Sequence, residues 1–219
     1  MTSLIRRGIY ALPAAGVLTT VPWLFILRQP SLRTDPDGYA RSLISPSIAV
    51  AGYVYLAGFI CLLFGLLALY AHLARTRGVS WATGGMIVSV VAIALALPVF
   101  GVFGLGSAIL GDVYLAGHKD VTAAMLLTGG GTPSNRLNSY FGILMLIALI
   151  GAIANAVAVW RSRTLPRWAG LVLVPGLVLS MTFSPPAWAG AICLVAGGAG
   201  LAWRADRVAD TGAGAARTA

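Results

Sequence analysis

Long apolar runs alternate with shorter polar segments along the chain, and this alternation predicts a bundle of membrane-spanning helices. A helix needs roughly 20 apolar residues to cross the hydrocarbon core of a bilayer. Six runs reach or approach this length, and the last two are short enough to require some thinning of the bilayer. They cover residues 8–27, 48–73, 81–103, 140–160, 168–183 and 187–203. The predicted fold class is all-α, a polytopic transmembrane bundle with six spans.

The longest polar interruption, residues 104–139, predicts a partly helical outer cap between the third and fourth spans. Asp120 is placed to start a short helix over residues 121–127, because an aspartate side chain accepts hydrogen bonds from the free N–H groups of a first turn. Residues 132–139 are rich in turn-forming types and predict a polar turn. A chemical or binding site is expected first in this cap.

Two other polar segments complete the plan. Residues 35–38 have the sequence Asp-Pro-Asp-Gly, which favours a turn because proline fixes φ and the flanking residues accept the remaining turn positions. Residues 204–219 are small and polar, and predict a disordered cytoplasmic tail.

The distribution of basic residues predicts that both termini lie in the cytoplasm. With six spans, one side of the membrane would hold ten basic residues and the other five. The richer side has Arg6, Arg7, Arg75, Arg77, Arg161, Arg163, Arg167, Arg204, Arg207 and Arg217, and the poorer side has Arg28, Arg33, Arg41, Lys119 and Arg136. Cytoplasmic segments carry the excess of basic residues in membrane proteins.

Composition agrees with the membrane class. Hydrophobic residues make up 58% of the 219 residues and charged residues 10%, whereas a soluble domain carries about 25% charged residues. The net charge of +9 does not indicate nucleic-acid binding, because the basic residues never form a stripe interleaved with aromatic residues. The chain has no glutamate and a single lysine, a bias typical of a GC-rich bacterial genome, so we expect a bacterial cytoplasmic membrane.

The chemistry available to the chain is limited. No ionisable residue falls near the middle of a predicted span, which disfavours a proton relay or a voltage sensor. Cys61 and Cys193 lie inside apolar runs, where a thiol acts as a small hydrophobic group. No metal motif and no cofactor motif is present, so neither a metal nor a cofactor is predicted.

One set of residues would suit acid catalysis on an apolar substrate. Protonation of an alkene needs a positioned acid and aromatic ring faces that stabilise the resulting cation. The candidate catalytic acids are Asp112 and Asp120, and the candidate substrate-binding residues are Tyr114, Tyr53, Tyr55, Trp23 and Asn155. Asn155 shares a helix face with Gly151, so it serves either helix packing or ligand specificity.

In its plan the chain resembles the uncharacterised six-span membrane proteins common in actinobacteria. The resemblance rests on residues 74–78 (Ala-Arg-Thr-Arg-Gly), 114–117 (Tyr-Leu-Ala-Gly) and 164–170 (Thr-Leu-Pro-Arg-Trp-Ala-Gly). It brings no assigned catalytic residues. In size and span number the chain is also similar to the small bacterial membrane-bound terpene cyclases.

Three functions are compatible with these observations. The first is a multi-pass membrane protein that acts by interaction or as an accessory component, with the lipid bilayer and another membrane protein as partners. The second is a membrane enzyme that acts on a lipidic or isoprenoid substrate, as a terpene cyclase does, through an aspartic acid. The third is a small transporter or channel that uses the glycine-rich end of the third span as an irregular segment.

Overall fold

Every regular element that the structure describes is a helix. The computed structural model describes residues 3–26, 28–30, 34–118, 132–180 and 186–215. The helices are α1 (Ser3–Ile9), α2 (Ala11–Ile26), α3 (Pro36–Leu43), α4 (Pro46–Leu73), α5 (Val79–Leu115), α6 (Thr132–Ser162), α7 (Arg167–Leu179) and α8 (Pro186–Ala215). The all-helical fold class predicted from the sequence is confirmed for this part of the chain.

Within the described residues, five helical segments are long and apolar enough to cross a membrane. They are Arg7–Phe25, Pro46–Leu73, Val79–Pro98, Ser139–Ser162 and Trp188–Ala205. The predicted fifth span corresponds to α7, which has 13 residues. At 1.5 Å per residue α7 is about 20 Å long, which is less than the ~30 Å hydrocarbon core of a bilayer.

Six of the helices form a closed ring in chain order. Each of α2, α4, α5, α6, α7 and α8 packs against the next, and α8 returns to pack against α2. The interior is filled with aliphatic side chains, of which Leu62, Leu69 and Leu73 come from α4 and are fully buried. Burial of this apolar surface against neighbouring helices leaves the outer apolar residues for the lipid.

One end of the bundle collects the short connectors. His72, near the end of α4, bonds through Nε2 to Thr164 Oγ1 in the connector after α6, at 3.2 Å. A β-carbon on Gly8 would lie 2.7 Å from Ala68 Cβ, so the beginning of the chain reaches the same end. Trp168 contacts Gly200, which brings the later part of α8 there as well. We call this the His72 end.

The third long helix extends further than the sequence pattern predicts. α5 continues through residues 104–115, where the start of an outer cap was expected. The residues of this stretch keep the backbone hydrogen bonds of a helix. α5 then ends in a Schellman motif. There Gly117 has φ +104°, its N–H donates to Tyr114 O at 3.1 Å, and the His118 N–H donates to Val113 O at 3.3 Å.

Two further helices also exceed their predicted lengths. α6 begins at Thr132, where residues 132–139 were expected to form a turn. Pro133 is compatible with this start, because a proline in a first turn removes only an N–H group that would be unpaired anyway. α8 continues to Ala215, so the predicted disordered tail is helical over residues 204–215.

Candidate functional site

The predicted aromatic group lies in the interior of the bundle, away from the His72 end. Tyr55 is buried, and its ring meets Phe59 edge to face with centroids 5.3 Å apart. Gly65 faces Leu12 and Gly58 faces Thr19, and this antiparallel register places Trp23 level with Tyr55. Trp23 is buried as well.

The hydroxyl group of Tyr55 closes the end of the short helix α7. It donates to the carbonyl oxygen of Ser180 at 2.7 Å. A helix that ends before it has crossed the hydrocarbon core leaves carbonyl groups without partners, and each unsatisfied group there costs several kcal/mol. Tyr55 therefore has a structural role that connects α4 to α7.

Asp112, the candidate acid that the structure describes, is not brought together with these rings. Asp112 is exposed on the last turns of α5, 31 residues after Trp81, which corresponds to about 46 Å along the helix axis. Tyr55 lies 18 residues before Leu73, the end of α4 at the His72 end, which corresponds to about 27 Å along that axis, so Asp112 lies well beyond its level. Asp120 and the helix predicted over residues 121–127 lie outside the described residues.

The two other candidate tyrosines differ from each other in burial. Tyr53 is 61% exposed on α4, and therefore lies on the outer surface of the bundle. Tyr114 is buried on α5, two residues after the exposed Asp112. The predicted substrate-binding residues thus occupy separate places, and of this set only Trp23 and Tyr55 are at one level in the interior.

Asn155 belongs to the contact between α5 and α6. Its side chain is 4% exposed, and Nδ2 donates to Ser89 Oγ at 3.0 Å and to Gly151 O at 2.9 Å. A β-carbon on Gly151 would lie 2.7 Å from Ser89 Oγ, and one on Gly85 would lie 2.8 Å from Asn155 N. The two helices thus approach through matched pairs, Gly85 with Ser89 and Gly151 with Asn155, each four residues apart. The geometry is that of polar helix packing between small residues.

The end of the bundle opposite the His72 end contains a structural unit that sequence analysis did not foresee. Residues 35–38, predicted as a turn, form the start of α3, where Asp35 Oδ1 accepts from Gly38 N at 2.8 Å. The buried face of α3, with Ala40 and Leu43, packs against Gly111 of α5. A β-carbon at Gly111 would lie 2.7 Å from Ala40 O, so only glycine allows this approach. We call α3 together with residues 107–116 of α5 the outer platform.

Charge places the outer platform outside the hydrocarbon core. Asp35 and Arg41 are exposed on α3, and Asp37 is half-buried. A charged side chain at the centre of a bilayer costs about 2.5–3.5 kcal/mol on insertion scales, so three together are excluded from that depth. Partial burial raises the pKa of the Tyr39 hydroxyl above its usual value, so this group stays neutral at physiological pH.

One exposed face of the outer platform carries two apolar side chains beside a carboxylate. Ile109 is 66% exposed and Val113 37%, and Asp112 and Ala116 share this face of α5 because they follow at positions i+3 and i+7 from Ile109. The opposite face, with Ser107, Gly111 and Tyr114, is buried. We call the exposed side the distal face. Two sequence signals could have located the outer platform: Asp35-Pro36, which starts α3, and Gly117, which ends α5.

Metal binding has no support in the described part of the chain. No group of three or more histidine, cysteine, aspartate or glutamate side chains lies close enough there to hold an ion. Cys61 and Cys193 are free thiols on separate helices.

Comparisons with protein-family models, with curated proteins and with solved structures found no match for this chain.

Proposed function

We propose that the chain crosses a bacterial cytoplasmic membrane six times, with both termini in the cytoplasm, and acts by interaction with another membrane protein, as an accessory component. The number of crossings is supported by the order of the ring, in which α7 stands between α6 and α8 as each other long helix stands between its neighbours. The orientation is supported by the arginine-rich connectors at the His72 end.

The interaction role is supported by the distal face. Ile109 and Val113 would be unremarkable on a membrane-spanning helix, where lipid covers them. On the outer platform they stand next to charged residues, about 42 Å or more along the α5 axis from Trp81. Apolar side chains that are exposed to water in a contiguous group mark an interaction surface. This is the observation that carries the proposal.

The alternatives have less support. An isoprenoid enzyme that works through an aspartic acid needs that acid beside the aromatic rings, and Asp112 is exposed on the outer platform instead. The transporter hypothesis relied on a broken helix at the glycine-rich end of the third span, and α5 is continuous there. Asp120 could serve the enzyme only from the part of the chain outside the described residues.

The proposal is tested by site-specific photo-cross-linking in membranes of the native host. A photoreactive residue at Ile109 should form a discrete adduct with a protein, and the same residue at Ile87, which is exposed on the membrane-spanning part of α5, should not. The pair Ile109→Ser and Val113→Ser should abolish both an adduct formed from Ala116 and the ability to complement a gene deletion.

The decisive control uses the acids. If the protein acts by interaction, Asp120→Asn should complement the deletion fully. Asp112 lies on the distal face, so the pair Asp112→Asn and Asp120→Asn should reduce complementation no more than the serine pair does. Loss of complementation in this pair with normal protein levels, together with full activity of the serine pair, would overturn the proposal and favour the acid-dependent enzyme.

A further inference from the structure

The most concentrated charge of the molecule lies at the His72 end, in the two connectors between α4 and α5 and between α6 and α7. Five arginines lie in these connectors or at the helix ends beside them, and all five are exposed: Arg75, Arg77, Arg161, Arg163 and Arg167. We call this group the basic corner. The connectors are adjacent, because His72 bonds to Thr164 and a β-carbon on Gly78 would lie 2.6 Å from Ala158 O.

The protein supplies almost no negative charge to balance this group. The sequence contains no aspartate or glutamate over residues 38–111 or over residues 121–205. No carboxylate therefore comes from the membrane-spanning parts of α4, α5, α6 or α7. Asp206 and Asp210 on α8 are the remaining acids of the chain on this side. Five exposed guanidinium groups in such a place favour the binding of an external anion.

Both connectors are held in defined conformations. Thr76 Oγ1 donates to Leu73 O at 2.7 Å in the first. In the second, Ser162 Oγ donates to Val159 O at 2.7 Å and accepts from Thr164 N at 3.4 Å. Arg163 has φ +56°, in the left-handed region that a residue other than glycine rarely occupies. The basic corner is therefore a preorganised surface rather than a flexible loop.

Tryptophan rings fix both the depth and the direction of two of the arginines. The guanidinium carbon of Arg161 lies 5.8 Å from the ring centroid of Trp81, and that of Arg167 lies 4.9 Å from the ring centroid of Trp160. Both tryptophans are half exposed, as is usual at the level of lipid headgroups. A guanidinium that lies over a ring keeps its in-plane N–H donors free, and these donors match the oxygens of a phosphate.

We propose that the basic corner binds the phosphodiester headgroup of an anionic phospholipid, with Arg161 and Arg167 as the main ligands. The site faces the membrane interface, where such headgroups are concentrated, and phosphate oxygens supply the charge that the chain lacks. This proposal is independent of the interaction proposed for the outer platform.

Lipid binding by the purified full-length protein tests the proposal. In a neutral detergent, native mass spectrometry would measure the binding of short-chain phosphatidylglycerol, of phosphatidylcholine with the same chains, and of inorganic phosphate. We expect binding of phosphatidylglycerol, with at least tenfold weaker binding of the other two. Equal binding of inorganic phosphate would show a general anion site, and equal binding of phosphatidylcholine would show an apolar site; either result overturns the proposal.

Matched variants locate the site. Near a membrane surface each arginine contributes about fivefold to the affinity for anionic lipid, so Arg161→Gln with Arg167→Gln should weaken phosphatidylglycerol binding about 30-fold. The control pair Arg28→Gln and Arg41→Gln removes the same charge at the opposite end and should change it less than twofold. An equal loss in the two pairs would contradict a local site.

A conservative pair keeps the test valid if the glutamine pair is poorly expressed. Arg161→Lys with Arg167→Lys preserves the charge and the topology signal but removes the planar fork of donors. We expect a loss of affinity of about threefold or more, with an unchanged thermal midpoint in the absence of lipid. Wild-type affinity in the lysine pair would show that guanidinium geometry is irrelevant, and would refute the assignment of these two residues.

Discussion

Replacing Gly85 by alanine should destabilise the bundle, whereas the same replacement at the adjacent Gly84 should stabilise it. A β-carbon at Gly85 would lie 2.8 Å from the backbone nitrogen of Asn155 and 2.9 Å from its Oδ1. A β-carbon at Gly84 would have no neighbour within 4 Å. Because a backbone atom cannot rotate away, α5 and α6 would have to separate, and the bond between Asn155 and Ser89 would weaken.

The expected magnitude follows from two opposing terms. Alanine in a helix interior is more favourable than glycine by about 0.5–1 kcal/mol, a gain common to both positions. Forcing an additional carbon into a closely packed contact costs about 1–3 kcal/mol. Gly84→Ala should therefore raise the free energy of unfolding by up to about 1 kcal/mol. Only Gly85→Ala carries the overpacking cost, so the free energies of unfolding of the two variants should differ by about 2 kcal/mol.

Thermal unfolding in a mild detergent measures this difference directly. One kcal/mol corresponds to about 2–4 °C for a chain of this size, so the midpoints of the two variants should differ by about 4–8 °C. The second helix of the contact offers a matched pair, since a β-carbon at Gly151 would meet Ser89 while one at Gly142 would meet nothing within 4 Å. Equal midpoints for Gly85→Ala and Gly84→Ala would show that the packing described for α5 and α6 is wrong.

Three other substitutions have defined outcomes in the same unfolding assay. Tyr55→Phe removes the donor to Ser180 O and should cost about 1 kcal/mol, because a carbonyl at membrane depth loses its partner. Tyr140→Phe should lower the free energy of unfolding by about 0.5–1.5 kcal/mol. The Tyr140 hydroxyl donates at 2.5 Å to Leu95 O, in the turn of α5 that Pro98 weakens. Arg163→Gly should stabilise the protein by about 0.5 kcal/mol, because relief of the left-handed backbone, about 1–2 kcal/mol, exceeds the entropic cost of glycine.

Neighbouring residues supply the controls. Tyr53→Phe removes an exposed hydroxyl group two residues from Tyr55 and should leave the midpoint unchanged. Arg161→Gly should lower it, because Arg161 lies in α6, where glycine weakens the helix. A midpoint for Tyr55→Phe equal to that of Tyr53→Phe would remove the structural role of the Tyr55 hydroxyl, and stabilisation by Arg161→Gly would remove the conformational explanation for Arg163.

The helical class could be predicted from the sequence because apolar run length reports directly on membrane spans. The extent of α5 could not, since glycines such as Gly104 and Gly106 have low helix propensity and packing against α3 outweighs it. The end of that helix was nevertheless encoded locally, because the Schellman motif requires a residue that accepts positive φ at Gly117. Local signals thus identified the class of the fold more reliably than the lengths of its elements.

The partners within the candidate site depend on tertiary contacts that have no local signal. Tyr55 and Ser180 are 125 residues apart, so nothing near Tyr55 in the sequence indicates its acceptor. Asn155 was expected either to pack a helix or to select a ligand, and only the structure brings Ser89 to its side chain. The shared spacing of four residues, in Gly85 with Ser89 and in Gly151 with Asn155, was the available clue.

The central proposal is that the chain crosses the membrane six times, with the basic corner in the cytoplasm. The side of the membrane on which each terminus lies tests this proposal most directly. Reporters that are active on only one side of the membrane would be fused in separate strains to the amino terminus and to the carboxyl terminus. Six crossings place both fusions on the same side of the membrane, and the arginine distribution makes that side the cytoplasm. Fusions on opposite sides would leave only the five long apolar helices as spans, with α7 entering and leaving the membrane on one side, and would contradict the account.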